Sequence, residues 1–132
     1  MLDKIGKAIT KVFGSKSDRD IKAIQPIVEK IKSYGPEMEK LSDEQLKAKT
    51  AEFKQKIKDA NAETTLRIEE VKAKMDDLEN LSQGESRQLA DELEELEQRW
   101  LDTLEETLDD ILPEAFAVLK DTCRRFVGKT WK

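Results

Sequence analysis

The stretch that decides the fold is residues 62–112, AETTLRIEEVKAKMDDLENLSQGESRQLADELEELEQRWLDTLEETLDDIL. Two apolar stripes run through it with the three- and four-residue spacing of a helix face. They consist of Ile68, Val71, Met75 and Leu78, and then of Leu89, Leu93, Leu96, Trp100, Leu104, Leu108 and Ile111. The sequence SQGES at residues 82–86 is the strongest turn signal between them. We therefore expect two antiparallel helices with a narrow, coiled-coil-like seam.

The composition favours an all-α, elongated molecule with a small core. Charged residues make up 40% of the 132 residues and aromatic residues 5%, which is typical of long solvated helices. We find no strand pattern, and the length allows one domain. The single cysteine, Cys123, excludes an internal disulfide and fits a reducing compartment. It lies among apolar residues, so we expect a buried thiol and not a nucleophile.

Charge is distributed unevenly along the chain. Residues 1–34 contain eight Lys or Arg and four Asp or Glu, whereas residues 85–114 contain two Arg and twelve Asp or Glu. A basic start suits an anionic partner, and an acidic middle repels one. The overall acidity argues against nucleic acid as a partner, because phosphate neutralisation drives that binding.

A short basic amphipathic helix is predicted at the start of the chain. Its apolar face and its flanking lysines are formed by Leu2, Lys4, Ile5, Lys7, Ile9, Lys11, Val12 and Phe13. Such a helix can lie in a membrane interface, with the lysines on anionic headgroups. It can equally pack its apolar face on the rest of the protein, and the pattern does not separate these two interpretations. No apolar run is long enough to span a bilayer, and we expect a soluble, cytoplasmic chain.

Three further signals mark where helices outside the hairpin are expected to begin, bend or end. Pro26 is expected to kink or divide the helix that contains it, and Gly35-Pro36 is expected to end it. Ser42 with Gln45 forms a capping box at the start of the next helix. Pro113 is a good first-turn residue, so we expect the last helix to restart there.

The last predicted helix has the most hydrophobic stripe in the chain. Its members are Leu112, Ala115, Phe116, Leu119, Cys123, Phe126 and Val127. Little else in the sequence is available to cover this stripe. We therefore predict that it docks onto a following domain or a partner, chiefly through Leu112, Phe116, Leu119 and Phe126.

No catalytic, cofactor-binding or metal-binding residues are predicted. Gly128-Lys129-Thr130 resembles the end of a phosphate loop, but Cys123 occupies the position of the first glycine in GxxxxGK[ST]. The chain has no histidine, which excludes imidazole acid–base chemistry and histidine metal sites.

Three segments together resemble the N-terminus of the SecA family, the ATP-driven motors of preprotein translocation. They are KVFGSKSDRD at residues 11–20, PEMEKLSDEQLKAKTAEF at residues 36–53 and ILPEAFAV at residues 111–118, in that order. The acidic hairpin between the last two departs from the compact version of the family pattern. The resemblance implies that residues 2–13 associate with anionic phospholipid and the SecYEG channel, and that this region takes part in the contacts of a homodimer. It also implies that ATP and Mg²⁺ bind only to later parts of a longer protein.

These observations predict four segments: basic amphipathic helices in residues 1–35, a capped docking helix in 36–57, an inserted hairpin in 58–110, and in 111–132 a helix leading into a missing nucleotide-binding domain. The predicted function is that of the N-terminal fragment of a SecA-type motor, without ATPase activity of its own. It would be cytoplasmic and peripherally associated with the inner face of the bacterial plasma membrane. A free-standing coiled-coil adaptor is the alternative.

Overall fold

The computed structural model describes residues 16–76 and 82–130, and every regular element within them is an α-helix. In chain order the helices are α1 (Lys16–Ser33), α2 (Gly35–Met38), α3 (Asp43–Ala60), α4 (Ala62–Met75) and α5 (Gln83–Phe126). The all-α prediction is confirmed. The predicted amphipathic helix of residues 2–13 lies outside the described residues. None of the described helices is both long and apolar enough to cross a bilayer.

The long helix α5 organises the fold, because each of the other four helices packs against it. Its 44 residues extend for about 66 Å at 1.5 Å per residue. We call α1–α3 together with residues 111–126 of α5 the base. We call α4 together with residues 83–110 of α5 the arm. The single residue Asn61 joins α3 to α4 and so connects the base to the arm.

The core is small and lies mainly in the base. Met38, Leu46 and Ala117 are buried together, one each from α2, α3 and α5. Half-buried apolar side chains surround this cluster, namely Ile31, Tyr34, Leu41 and Val118. Burial of a large apolar side chain such as Met38 or Leu46 contributes about 1.5–3 kcal/mol, so this cluster helps to hold α2 and α3 on α5.

The arm has fewer buried side chains. Val71 of α4 and Leu96 of α5 are its buried apolar residues among those described. The indole N–H of Trp100 donates to the hydroxyl of Thr65 across the two helices, at 3.2 Å. The antiparallel, coiled-coil-like seam stays a prediction in its details, since residues 77–81 between α4 and α5 lie outside the described residues.

Two prolines lie inside helices. α5 runs without a break through Pro113, so the predicted restart at this residue is wrong. α1 continues through Pro26, which excludes a division of the helix there and leaves the expected kink as a prediction. A proline removes one backbone hydrogen bond from a helix interior. Pro113 is buried, and packing of this part of α5 against α1–α3 offsets that loss.

The capping signals are local and are largely confirmed. Ser42 accepts a hydrogen bond from the backbone N–H of Gln45, whose side chain accepts one from the backbone N–H of Ser42. Ser82 and Glu85 make the same reciprocal box at the start of α5. The predicted turn at residues 82–86 is therefore wrong from residue 83 onward, where the first turn of α5 begins.

Candidate functional site

Arg125 connects one side of the C-terminal end of α5 to the turn between α2 and α3. Its guanidinium donates to the backbone carbonyls of Met38 at 3.0 Å and Leu41 at 2.7 Å. It also donates to the carboxylates of Asp43 and Asp121, each at 2.7 Å. A planar guanidinium can meet several acceptors at once, so this residue ties the turn between α2 and α3 to the last turns of α5.

Asp121 is the buried carboxylate of this arrangement, with 4% of its surface exposed. Burial alone raises the pKa of Asp121, but hydrogen bonds from Arg124 and Arg125 outweigh it and hold the pKa below its usual value of 3.8. Asp43 is exposed, and its hydrogen bond with Arg125 lowers its pKa as well. Both carboxylates are therefore ionised at neutral pH and keep Arg125 in place.

A second polar connection lies one helix turn before the buried Ala117. The carboxylate of Glu114 lies 3.0 Å from the Nζ atom of Lys49 and 3.6 Å from that of Lys56. Hydrogen bonds from Lys49 to Glu52 and then to Glu114 raise the pKa of Lys49. Since both lysines belong to α3, these pairs fix α3 along α5 as Arg125 fixes the turn before it.

The opposite side of the same part of α5 carries exposed apolar side chains. Phe116 is 52% exposed, Leu119 56% and Phe126 42%. These three residues belong to the predicted docking set, and the fourth, Leu112, is half-buried. The Nζ atom of Lys129 lies over the ring of Phe126, 5.3 Å from its centroid. Cys123 is also exposed, so the expectation of a buried thiol is wrong. α5 is thus held to α2 and α3 by one face and exposes apolar side chains on the other.

The arrangement offers binding surface and little chemistry. Among residues 16–76 and 82–130, no three carboxylate or thiol side chains converge in a way that could hold a metal ion. The cations and carboxylates described above are engaged with one another and with backbone carbonyls. An open apolar face on a fixed helix is suited to docking against another protein surface.

The apolar part of this site could be predicted from the sequence, and the polar part could not. The apolar stripe was visible from its spacing alone. The contacts of Arg125 with Asp43, Met38 and Leu41 could not be predicted from spacing, because these partners lie 82 to 87 residues away. Nothing in the sequence indicated that Asp121 is buried, because an acidic residue in a charged helix is ordinarily exposed. The predicted membrane residues, from Leu2 to Phe13, lie outside the described residues.

Known proteins resemble the chain along most of its length. The family model described as SecA DEAD-like domain matches residues 9–131, a range that includes the arm. A protein translocase subunit SecA of Phocaeicola vulgatus is 46% identical over 118 residues, which is 89% of this chain and 10% of that protein. The subunit of the same name from Chloroherpeton thalassium is 42% identical over 125 residues, or 95% of this chain and 12% of that protein.

A third relative is less identical and is matched over a similar share of the chain. The protein translocase subunit SecA of Salinibacter ruber is 38% identical over 141 residues, covering 93% of this chain and 12% of that protein. No solved structure matches the chain. The chain thus spans about a tenth of the length of these relatives. Because the family model matches nearly all of its residues, the chain belongs to the SecA DEAD-like domain family.

Proposed function

We propose that this chain is the N-terminal part of an ATP-driven protein translocation motor, and that α5 docks onto the domain that follows it. The observation that carries the proposal is the exposure of Phe116, Leu119 and Phe126 on a helix whose other face is fastened to the base. Three large apolar side chains on one fixed face form the kind of patch that marks a protein interface. Leu112 extends this docking face toward the arm.

The comparisons support this role because the relatives are named protein translocase subunit SecA and are about ten times as long as the chain. A neighbouring domain in the longer protein would cover the open face of α5. The free-standing adaptor is less well supported, because an independent chain would have to cover this face by itself. Self-association into a homodimer is the route open to it.

The proposal also assigns a role to residues 2–13 at the membrane. Their alternating lysines and apolar side chains suit a surface of anionic phospholipid and, in a translocation motor, the SecYEG channel. The protein would then be cytoplasmic and peripherally bound to the inner face of the bacterial plasma membrane. No GxxxxGK[ST] sequence occurs in the 132 residues, so we assign ATP and Mg²⁺ to the longer motor and no ATPase activity to this part.

The docking role can be tested by making the open face polar. In the longer protein, Phe116→Ser with Leu119→Ser should expose the trypsin sites of residues 111–130 and lower translocation activity at least about tenfold, since a polar face no longer docks. The matched control is Leu66→Ser, which changes an equally exposed leucine on the arm. Wild-type protease resistance and activity in the double variant, or equal losses in the control, would contradict the proposal.

A further inference from the structure

A groove between α4 and α5 lies on the arm. It has a volume of about 570 Å³, and its lining includes Thr65, Ile68, Glu69, Glu97, Trp100 and Leu101. The indole N–H of Trp100 donates to the hydroxyl of Thr65 at 3.2 Å, so the ring is held between the two helices. Leu101 beside it is 52% exposed. The groove is therefore an apolar recess that is open to solvent.

The groove and the docking face proposed above lie on the same side of α5 but at separate places along it. Leu101 precedes Leu112, where the docking face begins, by eleven residues, or about 16 Å of helix. α4 forms one wall of the groove. A segment that covers Phe116, Leu119 and Phe126 therefore does not fill the recess at Trp100.

Carboxylates outnumber cations around the groove. Four of them lie in it or beside it, namely Glu69, Glu94, Glu97 and Glu105. Glu94 and Glu105 are seven residues before and four residues after Leu101, so they lie on its face of α5. Among these four carboxylates, Glu97 alone makes an ion pair with a described residue, Lys72, at 3.0 Å. The whole arm contains fourteen Asp or Glu and five Lys or Arg, and we call this recess the acidic groove.

The groove on the other side of the contact between α4 and α5 has no such excess of carboxylates. Leu66 lines it and is 61% exposed. The charged side chains beside Leu66 are two carboxylates and two guanidiniums, namely Glu63, Glu70, Arg67 and Arg99. Charge therefore distinguishes the two grooves of the arm, although an exposed leucine lies in each.

We propose that the acidic groove binds a cationic amphipathic helix of another protein. Large apolar side chains on one face of that helix would enter the recess at Trp100 and Leu101. Its lysines or arginines would meet the unpaired carboxylates of Glu69, Glu94 and Glu105. Burial of the apolar side chains supplies affinity, and the opposite charges select and orient the partner. This inference goes beyond the proposed function and does not depend on it.

A model peptide tests whether the full-length protein recognises this chemistry. The probe is a fluorescent helix of leucine and lysine, about five turns long, with the leucines on one face. The matched probe has glutamate in place of every lysine. Anisotropy titrations at low salt should show at least about tenfold tighter binding of the lysine peptide, and added salt should weaken it. Equal affinities for the two peptides, or no binding of the lysine peptide, would overturn the proposal.

Two charge-reversal variants separate the acidic groove from the general charge of the arm. Glu94→Lys with Glu105→Lys alters the border of the groove, and Glu95→Lys with Glu106→Lys makes the same changes one residue further around the helix. Both variants add equal charge, and all four positions are exposed. The first variant should bind the lysine peptide at least about tenfold more weakly than the second. Equal weakening would show attraction to the arm as a whole and would refute the groove.

The apolar contact is tested with the charges unchanged. Leu101→Ser should weaken binding of the lysine peptide about fivefold, because an apolar side chain of the peptide loses its partner. Leu66→Ser, in the other groove, should leave the affinity as in wild type. A photoreactive leucine in the peptide should cross-link to residues 65–72 and 97–105. Equal effects of the two substitutions, or cross-links confined to residues 112–126, would contradict binding in the acidic groove.

Discussion

Ion pairs connect the helices in both the base and the arm, but those of the base involve largely buried side chains and those of the arm lie on the surface. In the base, Arg125 connects two carboxylates and two backbone carbonyls, and Asp121 is buried beside it. In the arm, Arg67 pairs with Glu92 and Lys72 with Glu97 on the surface, where water surrounds both partners. Exposed pairs contribute little, while a buried charge that loses its partner costs several kcal/mol. We infer that the base is held by its polar contacts far more strongly than the arm.

The largest effect is expected from Arg125→Ala. This change leaves Asp121 buried with one partner fewer and removes the donor from the carbonyls of Met38 and Leu41. The free energy of unfolding should fall by about 3 kcal/mol in urea titrations. Arg124→Ala is the control, because the more exposed guanidinium of Arg124 bonds only Asp121 among the described residues. Equal losses in the two variants would show that the carbonyl contacts do not stabilise the base.

Acidification should weaken the base by a smaller amount. The folded-state pKa of Asp121 and that of Asp43 lie below the usual value of 3.8, so the unfolded chain binds these protons more readily. Their contribution to stability is therefore complete above about pH 4 and is lost as the pH falls through the folded-state values. Thermal unfolding followed from pH 6 to pH 3 should show this loss. Asp121→Asn should start at a lower melting temperature and decline less steeply, and a decline as steep as in wild type would contradict the assignment to Asp121.

The smallest effect is expected in the arm, from Arg67→Ala. The side chains of Arg67 and Glu92 are 44% and 37% exposed, and a pair in water contributes at most about 1 kcal/mol. A double-mutant cycle with Glu92→Ala should give a coupling energy below this value, and salt should reduce it further. A coupling as large as that of Arg125 with Asp121 would remove the distinction between arm and base.

Local signals predicted most of the helical framework. The capping box of Ser42 and Gln45 was predicted because its hydrogen bonds span three residues and depend on nothing distant. The box of Ser82 and Glu85 has the same pattern and could have been found by the same reasoning. It was obscured by Gly84, which suggested a turn but lies in the first turn of α5.

Prolines show where local reasoning fails. Pro113 has the features of a helix start, and nothing near it in sequence indicates that α5 continues through it. Ala117 packs with Met38 and Leu46, and Ile111 and Pro113 are buried as well, so this part of α5 stays a continuous helix. A local penalty of about 3 kcal/mol can be offset by tertiary contacts that no window of the sequence contains.

The sequence by itself determined the all-α class, the caps and the apolar stripe that includes Phe116, Leu119 and Phe126, since each depends on neighbours within a few helix turns. Only the tertiary structure decided which face of α5 is covered. It also decided that Arg125 reaches Met38 and Leu41, because those partners are brought together from distant parts of the chain. The physical reason is that helix formation follows local spacing, whereas burial of a charge depends on every surface that folding brings around it.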